Sequence, residues 1–227
     1  MHFLSDLIIG VLQQFTRLTG SYGASIIFFA VALKLTLLPI TLYGMRWQER
    51  FKQYFKKAKA EIAALETVDK ARRDDQILDI YQANGINFTN QCKALLPLLI
   101  QIPLLVAFYR TVTTWEVMGN AGFLWIQDLS QVDNLIPIGV ALPWFGSSIN
   151  ALPFALLFVN SFEVILFRDE NTSLKSFTLP LVFFLLFYPF PSSCMLFWVT
   201  LNIVHIPERF YFTLKHHTEA YGNVADP

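Results

Sequence analysis

Lysine and arginine are missing altogether from residues 111–167, and charged residues of either sign make up only 15% of the 227-residue chain. Soluble domains carry ~25%, so this composition does not build a solvated globular surface. Cysteine is scarce as well, with Cys92 and Cys194 alone. In the topology derived below they begin spans at opposite faces of a bilayer, and a disulfide needs Cα atoms within ~7 Å. Both are expected to be packing residues. The signatures of catalysis are absent. There is no Gly-x-Ser-x-Gly elbow and no Gly-rich phosphate loop. His205, His216 and His217 are not spaced with carboxylates or cysteines as a metal site requires. An intramembrane Ser/His pair fails because His205 lies at the opposite end of one helix from Ser192 and Ser193. The expectation is a protein that is not an enzyme, with no cofactor, no metal and no nucleic-acid partner.

What the chain has is apolar length: 54% of residues are hydrophobic, and 22 are Phe. Five stretches read as membrane spans, at about residues 22–43, 94–113, 150–167, 176–190 and 192–212. The third and fourth sit near or below the ~17–25 residues that usually cross a bilayer. The formal net charge of zero hides an asymmetry, since ten of the 17 Lys and Arg lie between Met45 and Lys93. Loops on the cytoplasmic side carry the basic excess. That puts 45–93 inside and the Lys/Arg-free 114–149 outside. Arg168, Lys175, Arg209 and Lys215 agree, giving N-terminus out and C-terminus in.

Within the first span Lys34 is a lone cation. Placed in hydrocarbon it costs roughly 2.5–3.5 kcal/mol on insertion scales, so such residues face a protein interior or a wet cavity. Lying about nine residues from the inner end of its helix, it sits roughly 13 Å deep. It lines a polar cavity, snorkels, or belongs to a structural ion pair. Glu163 in the third span either partners Lys34 or reaches the inner interface. Gln101 lines a cavity or bonds a neighbouring helix, and Asn202 carries the same ambiguity. Phe197 and Trp198 read as packing or interfacial aromatics, and Arg110 as a side chain snorkelling to the outer surface.

Residues 1–20 lack the basic start and small-residue cleavage site of a secretory signal. Leu4, Leu7, Ile8, Val11, Leu12, Phe15 and Leu18 recur at helical spacing, as in an interfacial amphipathic helix; the other reading is a disordered or trimmed terminus. Residues 45–84 read as a cytoplasmic helical hairpin. Trp47, Phe51, Tyr54, Phe55, Ala58, Ile62 and Leu65 form one apolar face, and Lys52, Lys56, Lys57 and Lys59 crowd the same helix. A turn is expected near 67–69, then a second helix with Ile77, Leu78 and Tyr81, stopped by Asn84-Gly85. The basic half contacts anionic headgroups, at about 1 kcal/mol per cation, or serves only topology and solubility.

Several ordered motifs then match a known pattern. LKLTLLPIT (33–41), YQANGINFTNQC (81–92), PLLIQIPLLVAFYR (97–110) and AGFLWIQDLS (121–130) are followed by Pro180, Pro191-Ser192, Phe197-Trp198 and Asn202. Over residues 21–212 the chain resembles the YidC-type membrane protein insertases, the family that includes the mitochondrial oxidase-assembly and chloroplast albino insertases. It departs from the pattern at Lys34, where members usually carry Arg; Lys keeps the charge and loses the bidentate fork. Asn90-Gln91 replace a Gly-Gly, a Gly near Ser193 is lost, and no long Lys-rich tail suggests direct ribosome binding.

The resemblance implies an all-α integral membrane protein of five spans: an interfacial helix (1–20) followed by an insertase core (21–227). It implies an insertase and chaperone of the bacterial inner membrane, with a hydrophilic groove open to the cytoplasm. Lys34, Gln101, Phe197, Trp198 and Asn202 would line that groove, and Lys52, Lys56, Lys57 and Lys59 would touch client or lipid. Nascent membrane proteins and the bilayer are the implied partners, and the Sec translocon and the ribosome are further candidates. The alternative is a small channel or transporter with an intramembrane cation site. The paired repeats of many transporters are not evident.

Overall fold

The apolar run at 22–43 does not end where the charges begin. In the computed structural model, which describes residues 2–65, 70–168 and 173–222, helix α2 runs unbroken over Tyr22–Ala63, 42 residues with Pro39 inside. It carries both the first expected span and the basic half of the hairpin. By length and composition α2 is the one helix, among the described residues, able to cross a bilayer alone. A second candidate is the pair α4 (Phe88–Ala94) and α5 (Leu96–Thr114), bent by 54° at their junction. The chain divides into two compact units, residues 1–36 with 103–210 and residues 37–102 with 211–227.

In the first unit, α1 (His2–Thr19) is anchored by its apolar face, with Ile8 and Leu12 buried in the core. Gly20 takes φ +70, the left-handed turn that glycine allows without a Cβ clash. Thr16 then meets Ser25 Oγ at 2.8 Å, tying α1 to the start of α2. Gly23 admits Phe123 so closely that a Cβ there would lie 2.1 Å from the ring's Cγ. The core centres on three stacked rings, Phe29, Phe108 and Phe197, whose centroids are 4.3–5.9 Å apart. Helices α6 (Ala151–Leu166), α7 (Thr178–Phe187) and α8 (Ser192–Gly222) complete this unit; α8 continues past it. At 10 residues, α7 is shorter than the expected fourth span, because Pro189 stops it and a separate 3₁₀ turn, Leu174–Phe177, precedes it.

The all-α expectation needs one correction. The segment expected to lead into the third span folds as a two-stranded antiparallel hairpin, β1 (Ile136–Leu142) and β2 (Gly146–Ile149). Ile136, Ile138, Val140 and Leu142 alternate with small or proline residues, the period of two that makes a strand.

The adjoining AGFLWIQDLS region has a structural task. A helix begins with N–H groups that have no partner inside it, and residues 121–133 supply acceptors for two helices. Gln131 and Leu129 carbonyls accept from Ser192 N and Ser193 N, at 2.6 and 3.0 Å, at the start of α8. Asp133 accepts from Ala151 N at 2.9 Å and Leu152 N at 2.6 Å at the start of α6. Burial pushes the Asp133 carboxyl above its ordinary value of 3.8, opposed by the Leu152 N–H, the Trp125 side chain and the Ala151 N–H.

In the second unit, the basic end of α2 packs on α3 (Lys70–Ala83) as a hairpin. Phe55 meets Tyr81 with centroids 6.2 Å apart, and Asn84 Nδ2 donates to Glu61 at 2.9 Å. The turn expected near 67–69 lies outside the described residues. Gly85 adopts φ +76 after α3, as a left-handed C-terminal stop requires. Asn87 caps α4 by accepting from Asn90 N. Gly44 gives Pro97 a close seat, where a Cβ would lie 2.3 Å from its Cγ.

Candidate functional site

The lone charge in the apolar part of α2 finds its counter-charge on α8. Lys34 Nζ donates to Glu208 Oε2 at 2.9 Å and lies 3.3 Å from His205 Nδ1. His205 Nδ1 is itself 3.1 Å from Glu208 Oε2. On its other edge, His205 Nε2 lies 3.8 Å from Glu163 Oε1, which accepts from Arg209 Nη1 at 2.7 Å. The Arg209 guanidinium also lies 4.3 Å over the Phe167 ring. The result is a connected row of Lys34, Glu208, His205, Glu163 and Arg209 drawn from α2, α6 and α8.

Helical spacing explains why α8 can supply it. His205, Glu208 and Arg209 stand at i, i+3 and i+4, which places them on one face. The two principal side chains are enclosed: Lys34 and Glu208 keep only 10% and 7% of their side-chain surface. A charge so enclosed persists when paired and hydrogen-bonded. Glu208 nonetheless keeps an unanswered acceptor, since its Oε1 is buried without a partner.

Of the alternatives for Lys34, the geometry is that of the ion pair. Glu163 partners Arg209 and not Lys34, which removes the first of the two readings given for it. Phe197 is fully buried in the aromatic stack and Trp198 is 5% exposed. These two are therefore core residues against which the site is built, not a surface that solvent reaches. Asn202 turns its amide back on its own helix, Nδ2 donating to Trp198 O at 2.8 Å. Gln101 is half-buried in α5 within the second unit. Lys52, Lys56, Lys57 and Lys59 are all exposed on α2, and Lys52 has Glu49 at 3.8 Å.

Sequence reasoning missed Glu208, His205 and Arg209 as site residues. The usable signal was the demand of Lys34 for a carboxylate at depth, combined with the spacing of His205 and Glu208. Among the described residues no group of three or more His, Cys, Asp and Glu is arranged to hold a metal ion.

The sequence profile of the 60Kd inner membrane protein family matches residues 14–219. A protein of Magnetococcus marinus named membrane protein insertase YidC is 28% identical over 218 residues, covering 94% of this chain and 36% of that protein. One of the same name from Endomicrobium trichonymphae is 25% identical over 217 residues, covering 94% and 40%. The chain thus spans well under half the length of these relatives. Among solved structures, the crystal structure of an active YidC insertase with its first transmembrane domain resolved superposes with a TM-score of 0.63. That likeness is 19% identical and covers 91% of this chain and 46% of the other.

Proposed function

The chain belongs to the 60Kd inner membrane protein family, and on that premise we propose that it is a membrane protein insertase and chaperone, acting without a cofactor or nucleotide. Five spans, at about residues 22–43, 94–113, 150–167, 176–190 and 192–212, cross the inner membrane with the N-terminus out and the hairpin in the cytoplasm. The names of the relatives support the activity. The charge asymmetry supports the topology.

A hydrophilic groove open to the cytoplasm receives the polar segment of a nascent client while its apolar segment passes into lipid. Moving unsatisfied polar groups through hydrocarbon costs several kcal/mol each, and the groove shortens that path. The observation that supports the mechanism is the enclosed Lys34–Glu208 pair itself, at 2.9 Å. At rest Glu208 holds the place of an acidic client residue. A client carboxylate exchanges with it on Lys34, and His205 at 3.1 Å keeps Glu208 partnered meanwhile. One carboxylate replaces another, so the exchange does not leave a bare cation. The aromatic stack of Phe29, Phe108 and Phe197 closes the route on the far side. Lys52, Lys56, Lys57 and Lys59 meet headgroups or clients, and the Sec translocon and ribosome act as partners for some clients.

Depletion followed by membrane-insertion assays tests the reading. Loss of insertion of small one- or two-span clients is expected. Intact insertion with altered ion or solute flux would instead favour a channel or transporter using Lys34 as an anion site.

A further inference from the structure

The chemistry of the β1–β2 hairpin is unlike that of a solvated loop. No Asp, Glu, Lys or Arg occurs from Asn134 to Phe162. All seven residues of β1 are exposed. Ile136, Ile138, Val140 and Leu142 follow the two-residue period of a strand, 36–63% exposed, and Ile136 is paired with Ile149 across the hairpin. Among the described residues, β1 therefore keeps four apolar side chains exposed, with Ile149 of β2 beside them.

Trp144, in the connection, supplies a second and independent observation. It is held at φ +70, a conformation bulky residues rarely adopt, and the residue is 60% exposed. Its indole N–H donates to Leu185 O of α7 at 2.6 Å. That carbonyl would ordinarily accept from the residue four positions on, but residue 189 is proline and has no N–H to give. Water would satisfy an exposed carbonyl at no conformational cost. A donor brought from another element in a strained backbone is what a carbonyl needs where water is scarce. The tryptophan thus spends its polar end on the protein and presents its apolar ring outward, the arrangement favoured at a membrane interface. Phe145 packs edge-on to Tyr188 with centroids 4.7 Å apart. Tyr188 OH donates to Ser148 O at 3.2 Å, so the hairpin is fixed against the end of α7.

We infer that the hairpin of residues 136–149 dips into the bilayer interface at the end of the bundle where α6 begins and α7 stops, with lipid as its occupant. It acts as an apolar anchor for the segment that the charge asymmetry reads as external. The inference rests on reading α6 and α7 as membrane-embedded, and the test separates the two claims.

In a chain whose two cysteines are replaced by alanine, a nitroxide is attached at Val140→Cys, Ile138→Cys, Val182→Cys or Gln82→Cys, and the protein is reconstituted in phosphatidylethanolamine/phosphatidylglycerol vesicles. Collision with oxygen and with a water-soluble nickel chelate is measured at each site. The expected result is that labels at 140 and 138 favour oxygen over nickel, as at 182 on exposed α7, while 82 favours nickel. Nickel-favouring labels at 140 and 138 beside an oxygen-favouring 182 would overturn the anchor alone. A nickel-favouring 182 would overturn the membrane reading beneath it. Low collision with both reagents and dipolar broadening at 140 would mean that a second copy covers the hairpin, and would overturn the lipid assignment.

Discussion

Replacing Lys34 by Met removes the cation and leaves the Glu208 carboxylate enclosed with only His205 beside it. Glu208 keeps 7% of its side-chain surface and Lys34 10%, at a separation of 2.9 Å. Breaking a buried pair by deleting one partner costs about 3–5 kcal/mol, because the other charge stays buried. At about 1.4 kcal/mol per tenfold, Lys34→Met should lower the folding equilibrium constant by at least about a hundredfold. Glu208→Leu should cost a similar amount, since Lys34 would retain only the contact to His205 Nδ1 at 3.3 Å. Replacing both partners by apolar groups of like size is often near neutral, so Lys34→Met with Glu208→Leu should be more stable than either single variant. The coupling between the sites is then at least about 3 kcal/mol, at the top of the range for residues in contact. Denaturant titration in bicelles, followed by tryptophan fluorescence, reads these values. Two single losses below about 1 kcal/mol that add in the double variant would place the pair in bulk-like solvent. That outcome would refute its role as a closed resting state.

Lys34→Arg should preserve insertion, while Lys34→Ala and Lys34→Glu should slow clients with acidic translocated tails and spare clients without them; pulse-chase protease protection reads the difference. Gly23→Ala should lower stability by about 1–3 kcal/mol through overpacking, since its methyl would meet the Phe123 ring at 2.1 Å; thermal melting in detergent checks it. Asp133→Ala should cost about 1–2 kcal/mol as a lost helix cap, with Asp133→Asn losing less. Because the folded-state pKa of Asp133 is raised above 3.8, the native state binds this proton more readily than the unfolded chain. Wild-type stability relative to Asp133→Asn should therefore fall as pH rises through the window just above 3.8, and a rise there would contradict the assignment. Deleting residues 50–79 should impair client crosslinking more than membrane accumulation, as quantitative immunoblotting of both would report.

The sequence disclosed some of this arrangement directly. Apolar length and motif order pointed to the family, and Asn84-Gly85 marked the stop after α3. Three features were harder to read. Helix α2 continues through the change from apolar to basic residues because the basic stretch is rich in Arg, Lys, Gln, Glu and Ala, all good helix formers. The β-hairpin was hidden inside a segment read only as an external connection, where the period of two runs for just seven residues. Glu208 was overlooked because it stands near the charged end of α8, where a carboxylate passes for an interfacial one. Its pairing with Lys34 joins residues 174 positions apart, and such a contact has no local signature.

The central claim is that an acidic client residue takes the place of Glu208 on Lys34. A photoreactive amino acid installed at position 34, with a nascent client stalled part-way through insertion, tests it most directly. The account predicts a crosslink to the translocating segment that weakens when the client's Asp and Glu are changed to Asn and Gln. No adduct, or one indifferent to those charges, would contradict it.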